Sequence, residues 1–310
     1  MHWLVSLNDT IKHKVTERSE IIVPMRSLKS KIQMTIFNLG FIVSVILILI
    51  LCSTASIYTD SKYNDYSSFT ALLYFSRNDM LADTCFSSVE VLRKCGTGWL
   101  NLFMPIVATF PWVKINCNKR NTGFVQSELY RNSYFCHDVC EYLSGGISGG
   151  LVSLGGFLLY AFAVYLLYPN IQIYDQASIE ALFEMQQMLY GKVLTTNYLT
   201  MVLSLSARMF AYGFFISSPV IVASVFSNSP YTVSCIPFFL IYAYSQVSTM
   251  LLSKGTFGKF ALFLRILQPG SLLTDISLKQ TILLAIILSI ICFVIFRSSI
   301  KYRRLKGDCL

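Results

Sequence analysis

The sequence predicts an all-α polytopic membrane protein with six transmembrane helices, on three observations. Hydrophobic residues make up 54% of the chain and charged ones only 13%, against about 25% charged in soluble domains. Apolar runs near the roughly 20 residues that cross a bilayer recur along the 310 positions. The basic residues fall between those runs, with a bias to one side. At a mean hydropathy of +0.57 the chain has too little polar surface to coat itself in water. Its net charge of +9 is therefore read by position, as a mark of cytoplasmic loops rather than of nucleic-acid affinity.

Residues 1–31 form a cytoplasmic N-terminal segment, mixed polar and basic and divided by Pro24. The stretch after it, MRSLKSKIQ, reads as an amphipathic lead-in along the membrane surface. No cleavable leader is expected, because the first apolar run follows more than thirty residues, six of them basic. The string LILCS has Leu51 where lipoprotein processing needs a small residue. The transmembrane domain, 32–296, opens with span one at 32–58, apolar almost without interruption from 39 to 51. The polar loop 59–98 follows, with room for a short helix of its own. Span two, 99–115, is the shortest and contains Pro105 and Pro111, a kink that neighbours in a bundle tolerate.

A polar insert at 114–141 leads into span three, 142–168, closed by Pro169. In the next polar segment SIEALFEMQQMLY places Ile179, Leu182, Phe183 and Leu189 on one helical face. Gly191 ends that helix, which is expected to rest at the outer interface. Span four, 198–226, carries Arg208, and the uncharged turn SNSP joins it to span five, 231–252, as a hairpin. The outer segment 253–279 breaks at Pro269-Gly270 and reads as two short or re-entrant helices. Span six, 280–296, ends in the basic cytoplasmic tail 297–310.

Six crossings put both termini on one face. That face gathers fifteen basic residues, including Lys114, Lys119, Arg120 and Arg131 of the insert, against nine in the longer loops opposite. The bias predicts that both termini and the insert are cytoplasmic.

The sequence has no HExxH and no acidic pair inside a span. An enzyme is not expected. Without a GxxxxGK[ST] loop, any ATP that the protein uses must be bound by another chain. The string CHDVC, 136–140, has metal-ligand residue types, but on a helix His137 points away from the face shared by Cys136 and Cys140, so a polar helix is the simpler reading and no metal is assigned. Arg208 is the one charge deep in an apolar run; it either meets an anionic substrate or a gate or snorkels to the outer headgroups. Gly145 with Gly149 and Gly146 with Gly150 have the small-xxx-small spacing of close helix contacts. Packing is their first role, and sliding during gating the second. Cys85 and Cys95 flank a polar segment and are open to a disulfide if it faces an oxidising compartment.

The order of these features resembles the permease subunit of ABC-2 type ABC transporters, the type V exporter-like group. The matching features are the surface lead-in, six spans with both ends inside, the insert between spans two and three, the tight four–five hairpin and the broken outer segment before span six. They cover roughly residues 25–304. GFVQSELYRNSYFCHDVCEYLS, 123–144, looks like that family's coupling segment, although members often carry a basic residue where this chain has Glu141.

The resemblance implies a plasma-membrane subunit that pairs with a second permease, identical or related. It implies two cytoplasmic ATPase subunits, which hold the ATP and Mg. Ser127, Glu128, Tyr130, Arg131 and Tyr134 would form the coupling contact, and a peptide, lipid or drug-like substrate would be exported. A stand-alone membrane sensor or immunity protein, binding a peptide at its outer loops, remains the alternative.

Overall fold

A computed structural model of the chain describes residues 27–96, 98–131, 133–190, 197–253 and 278–305. The expected outer helix pair within 253–279, most of the N-terminal segment and the end of the tail lie outside the described residues.

Helix α1 (Ser27–Ile36) meets α2 (Leu39–Ser53) at a 63° bend. The bend falls at Asn38, whose side chain accepts a hydrogen bond from the Gly40 N–H and so caps α2. The lead-in thus lies across the end of the bundle while α2 enters it.

The polar loop after α2 is a small folded unit. Strand β1 (Ser56–Thr59) pairs antiparallel with β2 (Asp65–Ser67), the one departure from helix and turn among the described residues. Three short helices follow, α3 (Ser68–Tyr74), α4 (Arg77–Ala82) and α5 (Ser88–Lys94). Each starts on a serine cap: Ser67 and Ser76 form capping boxes with Thr70 and Asp79, and Ser87 accepts from the Glu90 N–H. The caps explain why a segment too polar to cross a membrane still forms helices. Tyr58, Tyr66, Phe75 and Phe86 pack ring against ring at 5.0 to 6.3 Å, above a buried floor of Ile57, Val89 and Leu92.

Next comes α6 (Leu100–Asn121), helical through both Pro105 and Pro111. It runs six residues beyond the expected end of span two. The insert is therefore not a separate island: it consists of the last turns of α6, the short helix α7 (Phe124–Arg131) and the start of α8 (Tyr134–Leu167). A turn at Gly123, with φ +70°, divides α6 from α7. Helix α9 (Gln176–Tyr190) follows. It docks on the folded loop instead of lying apart from it, burying Leu182 and Gln186, with the Gln186 amide donating to Glu90 at 2.9 Å. Helices α10 (Tyr198–Ser224), α11 (Pro230–Ser253) and α12 (Leu278–Leu305) complete the described chain.

Three helices, α8, α10 and α12, are long and apolar enough to cross a membrane, and the bent pair α1–α2 makes a fourth candidate. The protein is thus an all-α membrane protein in outline. Helices α6 and α11 have 22 and 24 residues. At 1.5 Å per residue they reach about the same thickness, and α6 is the more polar of the two.

The long helices alternate in direction between two ends. One end, called here the insert end, gathers α1, α7, the start of α8 and the last turns of α6, α10 and α12. The opposite, loop end gathers the folded loop, α9 and the end of α8, where Tyr160 donates to Ser68 Oγ at 3.1 Å and Tyr174, just beyond the helix, to the Met80 carbonyl at 2.8 Å.

Helices α8 and α10 make the closest pairing. A Cβ on Gly149 would stand 2.8 Å from the Gly213 carbonyl, and one on Gly213 would stand 2.6 Å from the Gly149 carbonyl. The backbones touch, which only glycine at both positions permits. On either side of that point Gly145 faces Trp112 and Ile221, Gly146 faces Phe214 and Gly150 faces Phe210.

Candidate functional site

The insert end holds the densest charge cluster among the described residues. It is buried, and it is assembled from five helices. Lys31 of α1 turns inward, 6% exposed, and places its ammonium 2.6 Å from Glu141 Oε1 of α8 and 2.9 Å from Glu128 Oε2 of α7. Lys119, in the last turn of α6, reaches the other Glu128 oxygen at 3.2 Å. His137 presents Nε2 to Glu128 at 3.3 Å and Nδ1 to Asp138 at 3.7 Å. Arg304, near the end of α12, grips Asp138 with both terminal nitrogens, at 2.7 and 3.3 Å.

Three cations thus face three carboxylates, with His137 between them. Burial works against the Glu128 carboxylate, but the neighbouring His137 and the charges of Lys31 and Lys119 outweigh it and hold the group well below the usual carboxylate range. Glu128, His137 and Glu141 bring ligand atoms within 4.8 Å of one another, as a metal site would. The Lys31 ammonium already occupies the space between the two carboxylates, so the arrangement is an ion-pair node. Two further arginines tie the helix ends together: Arg120 donates to the Ser224 carbonyl and Arg303 to the Val225 carbonyl.

The coupling residues expected from the sequence divide into two groups here. Ser127 lies on the exposed side of α7, its hydroxyl donating to the Phe124 carbonyl at 2.8 Å. Tyr134 is exposed as well, with the Arg304 guanidinium 4.7 Å above its ring, and Phe135 beside it carries Arg297 at 4.4 Å. Glu128, in contrast, is turned inward. Its carboxylate is engaged by Lys31 and Lys119 of the node. Tyr130 and Arg131 belong to α7, but their side chains lie outside the described residues.

The remaining candidates sit elsewhere. Arg208 does not snorkel: it is 3% exposed and donates to Thr281 Oγ1 of α12 at 3.2 Å, joining α10 to α12 inside the bundle. Cys85 and Cys95 are free thiols, so the bridge considered for them is not formed. Cys95 is fully buried and its thiol hydrogen-bonds that of Cys52 at the end of α2. Burial and the nearby Asp83 carboxylate push the Cys85 thiol up to about 11, which leaves it protonated and inert at neutral pH. In CHDVC the Cys136 and Cys140 thiols share a hydrogen bond while His137 faces the node, the divergence expected of a helix.

Sequence reasoning did not single out Lys31, Lys119, Asp138, Glu141 or Arg304 as parts of a site. One signal was present. Lys31 and Glu141 each stand immediately before an apolar run that starts from the same face, which sets two opposite charges at one depth.

No family model, no curated protein and no solved structure matches this chain.

Proposed function

We propose that the chain is the membrane-spanning subunit of an ATP-driven transporter of the ABC-2 permease kind, working in the plasma membrane with both termini and α7 in the cytoplasm. The observation that carries this reading is the node. A short helix with an exposed outer side is fastened through Glu128 to α1 and α6, and through His137 to α8. Pressure on α7 is then passed to those helices together, because a buried ion pair resists separation by several kcal/mol.

The chain supplies the lever and no phosphate-binding loop. Two cytoplasmic ATPase subunits would hold the ATP and Mg, and their closure would move α7. A second permease, identical or related, would complete the pathway for an exported peptide, lipid or drug-like substrate. The docking face is the exposed side of α7 and the first turn of α8, with Phe124, Ser127 and Phe135 outward. Helix α8 leads from that face to the Gly149–Gly213 contact, where close backbones can slide against α10.

A stand-alone sensor is the competing reading, favoured by the compact folded loop that could receive a peptide at the opposite end. The two separate on purification. The transporter reading expects a P-loop ATPase, identified by mass spectrometry, to co-purify with the parent protein and to be lost in Phe124→Glu without a change in thermal stability. A parent protein that purifies and reconstitutes without any ATPase, and binds peptide alone, sinks it.

A further inference from the structure

A cavity of about 490 Å³ opens between the end of α2, α3 and the last turns of α8, at the end of the bundle opposite the ion-pair node. Its walls are Leu49 and Ile50 of α2, Leu72 of α3, and Ala163, Val164 and Leu167 of α8. The volume lies within the ~300–1,000 Å³ of small-molecule sites. We propose that this cavity holds one acyl chain of a bilayer phospholipid.

Three observations favour an alkyl chain over a polar ligand. The first is the state of the hydroxyls at its edge. Ser53 donates to the Ile50 carbonyl at 2.6 Å, Thr54 to Leu51 at 2.7 Å and Ser68 to Ser53 at 3.0 Å. Tyr160 donates to Ser68 Oγ and Tyr168 to the Ser68 carbonyl. These groups are spent on the protein's own backbone and on each other, so a polar ligand entering the cavity would lose water and find few partners.

The second is the surface around it. The flanks carry exposed apolar residues on both sides, Ile46 and Leu47 on α2 and Phe162 and Leu166 on α8. The cavity is therefore continuous with the apolar surface that a bilayer would cover. The third is α3 itself, which lines the cavity with Leu72 and one side of Phe69 while Phe69 and Leu73 remain largely exposed, as in a short helix lying at the headgroup level. A lipid whose headgroup rests at that depth sends its chain along the cavity.

A chain moving from bilayer to cavity changes one apolar surrounding for another, so hydrophobic transfer contributes little. Occupancy follows from packing and from the high local concentration of lipid. The site should therefore be saturable, whereas ordinary lipid-facing surface is not.

The test uses the whole protein reconstituted in phospholipid vesicles that contain a phospholipid with a diazirine in one acyl chain. After illumination the labelled residues are read by mass spectrometry. The expected result is labelling at the ends of α2 and α8 that saturates as the probe fraction rises, while labelling of the exposed α12 face at Ile286, Ile290 and Val294 rises in proportion. Ala163→Trp, which fills the cavity, should bring the α2 and α8 labelling down to the α12 pattern.

Proportional labelling of the cavity residues in the parent protein overturns the proposal, and this measurement does not depend on the variant folding. Stronger labelling by a photoreactive apolar peptide at equal membrane fraction also overturns it, in favour of cargo. The proposal rests on the membrane reading alone. Labelled α12 with an unlabelled cavity refutes the site, whereas failure to label either refutes membrane insertion.

Discussion

Lys31 shows how much a single side chain holds at the insert end. It is the ammonium nearest to both Glu128 and Glu141, and without it the two carboxylates, with Asp138 close by, would repel in a buried site. Breaking a buried pair by removing one partner costs on the order of 3–5 kcal/mol, whereas replacing both partners with apolar groups is often close to neutral. Lys31→Met should therefore lower the thermal midpoint of the detergent-solubilised protein clearly, and Lys31→Met with Glu141→Leu should recover most of the loss. Equal midpoints for the single and double variants would remove the node from the account of stability. The response of Glu128 to pH has a definite sign. Glu128 is depressed in the folded protein, so its contribution is complete above the unfolded value of about 4.3. It is lost only as pH falls through that value towards the folded one. Between pH 8 and 5 this carboxylate does not titrate.

At the scale of elements, the contact between α8 and α10 and the turn between α6 and α7 depend on glycine for different reasons. At Gly149 the limit is space: a Cβ would meet the Ser217 side chain and, at 2.8 Å, the Gly213 carbonyl, which is backbone and cannot turn aside. Gly149→Ala should destabilise by about 1–3 kcal/mol, the usual cost of overpacking. Gly155→Ala on the same helix meets only Val45 side-chain carbons, from 3.4 Å, and should be neutral or slightly stabilising. Comparison of their thermal midpoints decides whether the α8–α10 contact is as tight as the backbone distances imply. At Gly123 the limit is conformation. Nothing lies within 4 Å of an added Cβ, but φ is +70°, and a left-handed residue other than glycine costs about 1–2 kcal/mol. Gly123→Ala should therefore lower the stability by about that amount and weaken ATPase co-purification, since it acts on the direction in which α7 leaves α6.

These same elements mark what the sequence could disclose. The four-residue spacing of Gly145, Gly146, Gly149 and Gly150 is a local pattern, and it led to the helix face that meets α10. The apolar face of α9 was likewise visible in Ile179 and Leu182, but its docking on the folded loop depends on Gln186 meeting Glu90, 96 positions away. Lys31 and Glu141 are 110 positions apart, and no periodicity connects them. Span two is expected to end at 115, and its helix continues to Asn121 through Lys119 and Arg120. They are helical because Glu128 and the Ser224 carbonyl receive them. Long-range charge pairing extended the helix where local polarity argued for a stop.

For the whole molecule, everything turns on whether α6 crosses the membrane. It has two prolines and is not among the helices apolar enough to cross by composition. Its neighbours nevertheless frame it as a crossing: α2 and α8 flank it, α11 returns beside it with Phe238 stacked 5.8 Å from Phe103, and its last turn enters the node with the end of α12. A bundle can shelter a less apolar helix by covering it, and Met104, Ala108, Trp112 and Val113 of α6 are all buried. If α6 crosses, the folded loop and α7 lie on opposite sides. Lys62 and Ser127 are exposed at those two places, so Lys62→Cys and Ser127→Cys report on the two faces. A membrane-impermeant maleimide should label Lys62→Cys in intact cells above the parent's own background, and Ser127→Cys only after permeabilisation. Labelling of both from outside would mean that α6 does not cross. The insert would then face away from any cytoplasmic ATPase, and the transporter reading would fall with it.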